Sequence, residues 1–497
     1  MGVTDNVRPD TALALTSVWP TLTKRLPFIA GPRLFAVAPD MRLTYNSQLP
    51  FSQNDGPMWA GRGWNLAASV GLGAERNLRG VTVRAVVAPT LLASQNLPFP
   101  FFPPTVPGRS RFSSPYHSQG QSLDIPVRFG DHKITRFDAG RTNIRITTDR
   151  VVAGLTAENE IWGPGIRNAL VMSANAPGIP RFYIGNRAAW QTRFGDVYAK
   201  GVAGVLTESL FFDDDSRNDF RSLSGLLLQL RTRFDTSLTI GLARTVYAPT
   251  GHAFEGAFSH ALDVVTHWEY IARANDTLPN GQFKQQSDQL LSVFARWVFP
   301  AAGFEVYGEW ARMDLPRTAT ELLVAGHYSS GYTMGFQWAQ PRRTHDYLRL
   351  QAEVSYLEQS QVFNDRPVLD FYVGRIGQQG YTQRGQVIGA AIGPGGSSQW
   401  LALDYIRPRG QGGVFLGRIR WENDAMYREP APNFFKHDVS VLGGVRAGLR
   451  TRYTDFETAA TLAYRYNYLF QYGGANPGLF RTVDMHNLTL SLAATPR

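Results

Sequence analysis

A stretch such as Leu348-Arg-Leu350-Gln-Ala352-Glu-Val354-Ser-Tyr356 leaves a chain few choices, because apolar and polar residues alternate without a break. Successive side chains of a β-strand point to opposite faces, so the period of two sets Leu348, Leu350, Ala352, Val354 and Tyr356 against Arg349, Gln351, Glu353 and Ser355. From about residue 60 onward the pattern recurs in segments of roughly ten residues, the length a tilted strand needs to cross a bilayer. Phe304, Val306 and Trp310 oppose Glu305, Tyr307 and Glu309; near the end, Leu488, Leu490 and Leu492 oppose Asn487, Thr489 and Ser491. A soluble sandwich alternates as well. Here, however, the polar faces carry charge strand after strand. Trp64, Trp190, Trp297, Trp338, Trp400, Trp421, Tyr464 and Tyr466 fall near strand ends, as the aromatic girdles of a membrane barrel do. The expected fold is all-β: an antiparallel transmembrane β-barrel of roughly 16 to 18 strands, 18 favoured, an even number being expected for a bacterial barrel.

Composition narrows the class further. The 497 residues include 48 Gly, 11 Trp, 20 Tyr and 30 Phe, yet the mean hydropathy is only −0.22, as it should be where lipid-facing and lumen-facing residues average out. No run of ~18 apolar residues offers a transmembrane helix. Cysteine is absent, which excludes disulfides, thiolate metal sites and Cys nucleophiles together. The net charge of +10 attracts polyanions; for a surface barrel these are acidic glycans and the phosphates of lipopolysaccharide. Nucleic acid is not an expected partner, since the cations are spread singly, as at Arg349, Arg418, Arg420, Arg446 and Arg450, with no dense basic block. That spread equally suits a solvated basic lumen. Met1 to Thr16 lacks the basic start and apolar core of a secretion signal, so the chain reads either as a mature form or as one whose start was assigned downstream.

Residues 1–30 are expected to be an irregular or helical N-terminal segment, with a short helix over Ala12 to Trp19, and residues 31–497 the barrel. Two insertions interrupt it. Residues 95–122, with Pro98-Phe-Pro-Phe-Phe-Pro-Pro104, suit a long structured loop. In 247–287, Phe258, Leu262, Val265, Trp268 and Ile271/Ala272 recur at helical spacing and predict a helix packed at the barrel mouth.

Special backbone is concentrated in Glu158-Asn-Glu-Ile-Trp162-Gly-Pro-Gly165-Ile-Arg167-Asn168 and again in Ser173-Ala-Asn175-Ala-Pro177-Gly-Ile-Pro180. Neither run suits the interior of a strand, because Pro lacks an N–H and Gly admits positive φ. This segment resembles the signature of the Wzi capsule-assembly family, outer-membrane β-barrels that bind capsular polysaccharide. The resemblance continues through Asp124-Ile-Pro-Val-Arg128-Phe-Gly130-Asp131, Leu206-Thr-Glu208 to Asp215, and Tyr381-Thr-Gln-Arg384-Gly385 to Gly395, covering roughly residues 120 to 400. The chain departs from the family at Glu160-Ile161, where relatives often set an aromatic beside the Trp.

The resemblance implies a non-enzymatic protein of the bacterial outer membrane that retains capsule or a related exopolysaccharide at the cell surface, with no cofactor. Trp and Tyr faces suit apolar sugar surfaces, and Arg and Asn suit hydroxyls and carboxylates. Trp162, Arg167, Asn168, Asn175, Arg109 and Arg111 are therefore the glycan-binding candidates. Asp213, Asp215 and Asp219 are weak candidates for a hard cation, with Arg217 placed to pair with its neighbours instead. A porin for small solutes or oligosaccharides shares the same barrel physics. A barrel-embedded hydrolase is third, because the chain carries no nucleophile or zinc motif and adjacent Ser259 and His260 point ~100° apart on a helix.

Overall fold

The computed structural model describes residues 33–104, 106–118, 120–253, 260–266, 287–313, 319–343, 345–362, 368–428, 437–471 and 483–496. Eighteen antiparallel staves close into a barrel. Each stave pairs with the next along the chain. The last, Met485–Pro496, returns to the first, Arg33–Asn46, in a register running from Met41 opposite Ala494 to Asn46 opposite Thr489. Closure removes the open sheet edges over that span, the condition for crossing lipid with strands. Three staves are bent: Val81–Val87 continues in Thr90–Ser94, Ile134–Asp138 in Asn143–Thr147, and Arg181–Asn186 in Trp190–Gln191.

The connections differ in length at the two ends. At one end they are tight, as between Leu78 and Val81, where Arg79 and Gly80 both take positive φ (48° and 88°) in the manner of a two-residue hairpin turn. At the other end long segments, among them 95–133, 157–180 and 357–396, turn back toward the barrel axis. Outer-membrane barrels have this asymmetry, short turns toward the periplasm and long loops outside.

The alternation of Leu348 to Tyr356 resolves as expected: Arg349, Gln351, Glu353 and Ser355 are buried toward the lumen, while Val354 is exposed on the outer wall. Buried polar side chains must find partners, and here they do so across the strands. Arg296 donates to Glu305 (2.6 Å), Gln337 to Glu305 (3.0 Å), Gln351 to Gln337 (2.6 Å), and Arg446 to Gln351 (2.7 Å) and to Asp404 (2.6 and 2.7 Å). This chain of bonds links inner-wall residues from strand Asp288–Phe299 to strand Asp438–Arg450.

The aromatic pattern divides. Trp64, Trp190, Trp297, Trp338 and Tyr466 are exposed on the outer wall near strand ends, as girdle residues should be. Trp400 and Trp421 are not: Trp400 stacks on Phe415 inside the lumen (4.6 Å between centroids), and Trp421 donates to Ser440 (2.8 Å). Both fall on the inward face of their strands, and nearness to a strand end does not reveal which face a residue occupies. The helix expected around Phe258 to Ala272 is present at Asp263–Thr266, where Val264 is buried while Leu262 and Val265 are exposed; Phe258, Trp268 and Ile271 lie outside the described residues, as does the whole of 1–30.

The two wall faces should respond differently to charge. Leu401→Arg places a cation on the lipid side at mid-strand, where it costs about 2–4 kcal/mol, and should sharply reduce the folded fraction read by heat-modifiable gel mobility. Gln411→Glu, on the lumen side in the space that Arg446 also lines, should leave that fraction near wild type.

Candidate functional site

The residues with special backbone form a plug. Segment 157–180 enters the lumen, and segment 371–396 packs against it, so the two stretches of strongest family resemblance meet inside the barrel. Ser173 donates to the carbonyl of Gly389 (2.6 Å) and Asn175 to that of Val387 (2.9 Å); Tyr372 donates to Leu170 (2.9 Å) and accepts from the amide of Ala390 (2.8 Å). Trp162, Leu170, Ile179, Tyr381 and Ile388 join inward-facing Leu227, Tyr247 and Phe294 in the main apolar core, which therefore lies between plug and wall. Gly225 makes this possible: a Cβ there would stand 2.8 Å from the Trp162 ring.

Wall carboxylates hold the plug. Glu353 accepts from three consecutive amides, Ile166 (2.5 Å), Arg167 (3.0 Å) and Asn168 (2.9 Å), and from the Tyr307 hydroxyl (2.8 Å). Glu309 accepts from Leu170 (3.0 Å), and it can approach because Gly163, at φ 108°, has no side chain where a Cβ would meet the carboxylate at 2.5 Å. Asp288 does the same for the other segment, accepting from Arg375 (2.7 Å), Ile376 (3.0 Å) and Gly377 (2.9 Å). A concave run of amides gripping an anion is the geometry of a backbone nest, with the anion supplied here by the wall.

The binding candidates divide accordingly. Trp162 is fully buried, and Asn168 and Asn175 are buried too; Asn168 donates to Ser398 (3.0 Å) and its carbonyl accepts from Thr333 (2.9 Å). These three make plug contacts inside the barrel, in turns rich in Gly and Pro that fold into the lumen. Arg167 is half-buried, its guanidinium 3.8 Å from the centroid of the Trp400 ring and 2.5 Å from Gln53. Burial lowers its pKa to about 10 against the pull of Glu353, so it remains a cation at neutral pH. Glu160, the departure from the family pattern, pairs with Lys200 (2.5 Å) and Arg181 (3.0 Å). Burial raises its carboxyl, but these two cations bring it below its ordinary value.

The Pro-rich loop caps the long-loop end. Arg109 pairs with Asp213 (3.0 Å), stacks on Phe212 (3.9 Å) and reaches Gln378 (3.0 Å), tying the cap to the plug. Arg111 lies over Phe112 (4.7 Å), pairs with Asp131 and is 64% exposed; of the six candidates it is the one presented openly to solvent. Of the acidic candidates, Asp213 pairs with Arg109 and Asp215 with Arg217 (2.8 Å). Among the described residues no cluster of His, Cys, Asp or Glu has the form of a metal site.

Sequence reasoning missed a chamber of about 430 Å³ below the plug, in the short-turn half of the lumen. Arg42, Arg349, Arg407 and Arg446 line it together with Asp55, Gln411, Glu457, Ser491 and small residues of the last two staves. The alternation that turned these residues inward was visible, but not which strands the closed barrel would set around one space.

The fold and its interior define a closed, internally plugged antiparallel barrel of the outer-membrane type. No family model matches the chain, and no curated protein matches it. Among solved structures it is similar to Wzi of Escherichia coli, described as an outer-membrane protein involved in group 1 capsule assembly and a carbohydrate-binding β-barrel, with TM-score 0.54, 13% identity, and coverage of 92% of this chain and 84% of that one. OccD3 of Pseudomonas aeruginosa follows at TM-score 0.43 and 10% identity (97% and 96% covered), and OprD of the same organism at 0.40 and 9% (93% of each). The likeness to Wzi bears on the fold, an antiparallel β-barrel.

Two outcomes test the plug. Glu353→Gln keeps the shape but removes the charge. Because a hydrogen bond to a charged group contributes about 1.5–3 kcal/mol, exchange at the Ile166, Arg167 and Asn168 amides should quicken at least tenfold while the barrel stays closed. In the loop after strand Gly195–Thr207, burial raises the Glu208 carboxyl to about 8, partly offset by the Gln379 amide and reinforced by Asp213, Asp124 and Asp219. An acid whose pKa is higher folded than unfolded favours the folded form below its unfolded pKa and loses that contribution as pH rises through the folded one. Protection of the Glu208 amide, corrected for intrinsic exchange, should therefore fall between pH 5 and pH 8.5 in the wild type and change little in Glu208→Gln.

Proposed function

We propose that this protein resides in the bacterial outer membrane and binds an extracellular polysaccharide, capsule or a related exopolymer, holding it at the cell surface without chemical turnover. The observation that carries this reading is the plug. Segments 157–180 and 371–396 fill the long-loop half of the lumen and are fastened to the wall by Glu353, Glu309 and Asp288, an arrangement suited to presenting a fixed surface and ill suited to passing solutes. The likeness to a carbohydrate-binding barrel and the resemblance of the plug sequence to the Wzi signature favour a glycan as the ligand.

The cap supplies chemistry for that ligand. Arg111 is exposed above the buried Phe112 ring and offers a cation for a sugar carboxylate. The net charge of +10 favours an acidic polymer, and lipopolysaccharide and outer-membrane lipids surround the wall.

Purified protein should be retained on an immobilised acidic capsular polysaccharide, and Arg111→Ala should reduce retention with the folded fraction unchanged. Retention should weaken as salt rises from about 0.05 to about 0.5 M, since the Debye length shrinks from roughly 14 to roughly 4 Å. Steady large conductance in a planar bilayer, with no polysaccharide retained, would replace this reading with that of a porin.

A further inference from the structure

Charge at the short-turn end of the barrel is lopsided. The connections there, residues 79–80, 148–150, 187–194, 233–237, 300–303, 344–345, 408–409 and 451–453, hold seven Arg and two Asp, with no Lys or Glu. At the strand ends beside them cations have carboxylate partners: Arg231 pairs with Asp196, and Arg407 stands 3.8 Å from Asp346. On the connections themselves they do not. Arg79, Arg150, Arg193, Arg233, Arg409 and Arg452 are exposed, and among the described residues none of them has a carboxylate at ion-pair distance. Of the two aspartates, Asp235 is held by the Trp297 indole and the Ser237 amide (both 2.8 Å), and Asp149 is exposed beside Arg150. Even with both counted, the cations are in excess.

Aromatic rings stand among these cations. Phe194, Phe234 and Tyr453 lie on the same connections, Phe234 80% and Tyr453 67% exposed. Arg193 lies over Phe194 (4.5 Å to the centroid) and Arg452 over Tyr453 (5.4 Å). In water a ring at the tip of a turn has nothing to pack on. At the edge of a bilayer the ring enters the acyl boundary, and the guanidinium beside it reaches the headgroup phosphates. The arrangement also selects among anionic partners. The cations are distributed over turns all around the rim instead of being gathered on one sector. A soluble acidic protein would meet one sector, whereas a lipid leaflet meets the whole circumference.

We infer that the short-turn rim is a collar for anionic phospholipid, its unpaired arginines binding the headgroup phosphates of the leaflet on that side. The guanidinium fork matches a phosphate in shape as well as charge. A zwitterionic headgroup carries its own cation against the phosphate, so a set of arginines at the bilayer surface favours the anionic lipid. The inference rests on the barrel's residence in a membrane, and not on its retention of polysaccharide.

Native mass spectrometry of the detergent-purified full chain, with equal amounts of phosphatidylglycerol and phosphatidylcholine added to the micelles, tests the assignment. The protein should retain phosphatidylglycerol roughly fivefold or more over phosphatidylcholine, and the preference should shrink as salt rises from about 0.05 to about 0.5 M. Arg193→Gln, Arg233→Gln, Arg409→Gln and Arg452→Gln combined should bring the two lipids to parity, with the gel mobility of a closed barrel and polysaccharide retention as in the wild type. The milder pair Arg233→Gln with Arg452→Gln should lower the preference about twofold. Arg217→Gln, at the long-loop end, should keep it whole. Closed-barrel mobility in vesicles of phosphatidylcholine alone checks membrane residence separately from lipid preference. Equal retention of the two lipids by the wild type, an undiminished preference in the combined variant, or the same loss in Arg217→Gln would each overturn the collar. Binding of soluble polyaspartate, with the two lipids retained alike, would assign the rim to a soluble acidic partner instead.

Discussion

A backbone that is neither helix nor sheet can be buried only if its N–H groups find acceptors, and in this barrel the wall provides them as carboxylates. Glu353 takes the amides of Ile166 to Asn168 and Asp288 those of Arg375 to Gly377; beyond the wall, Asp424 of the short helix Asn423–Arg428 takes those of Gln359 and Ser360 (both 2.8 Å). Each grip meets two needs together. The carboxylate would be costly to bury without partners, and the irregular segment would be costly to bury without acceptors. Everything else inside depends on this exchange: with the amides satisfied, Trp162, Leu170 and Tyr381 can pack as an ordinary apolar core, in a place where most large barrels hold water.

That arrangement explains which parts of the molecule were legible beforehand. Alternation is a local property, so the inward face of Leu348 to Tyr356 and the barrel class followed from the residues themselves. The plug is not local. Glu353 and the Ile166 amide are far apart in sequence, and nothing near either announces the other. Trp162, Asn168 and Asn175 were noticed because their backbone surroundings are special, but that feature points equally to a ligand site and to an internal anchor. Their burial depends on closure of the whole barrel, which no local feature of the sequence encodes. Trp400 was misread for a related reason: proximity to a strand end places a residue in height along the barrel, while the face it occupies depends on register.

The inner wall is continuous in a way the outer wall is not. Outside, side chains such as Leu401, Val414 and Leu462 are simply exposed and can be exchanged for others of similar hydrophobicity. Inside, Arg296, Glu305, Gln337, Gln351, Arg446, Asp404 and Arg349 form one linked series across neighbouring strands, Arg446 reaching over strand Gly410–Trp421. A substitution within it changes the partners of residues one and two strands away. Selection on the two faces therefore acts differently, on composition outside and on combinations inside.

The closing seam has a consequence for how the molecule is made. The strand beginning at Arg33 shares its first half with its sequence neighbour alone and meets the final strand only from Met41 to Asn46. This ladder joins residues separated by almost the entire chain, so its loop-closure cost is the largest in the sheet. Until it forms, both terminal strands carry open edges. The short seam thus acts as a clasp: the other ladders can assemble between near neighbours, but the cylinder exists only once its two ends are fastened.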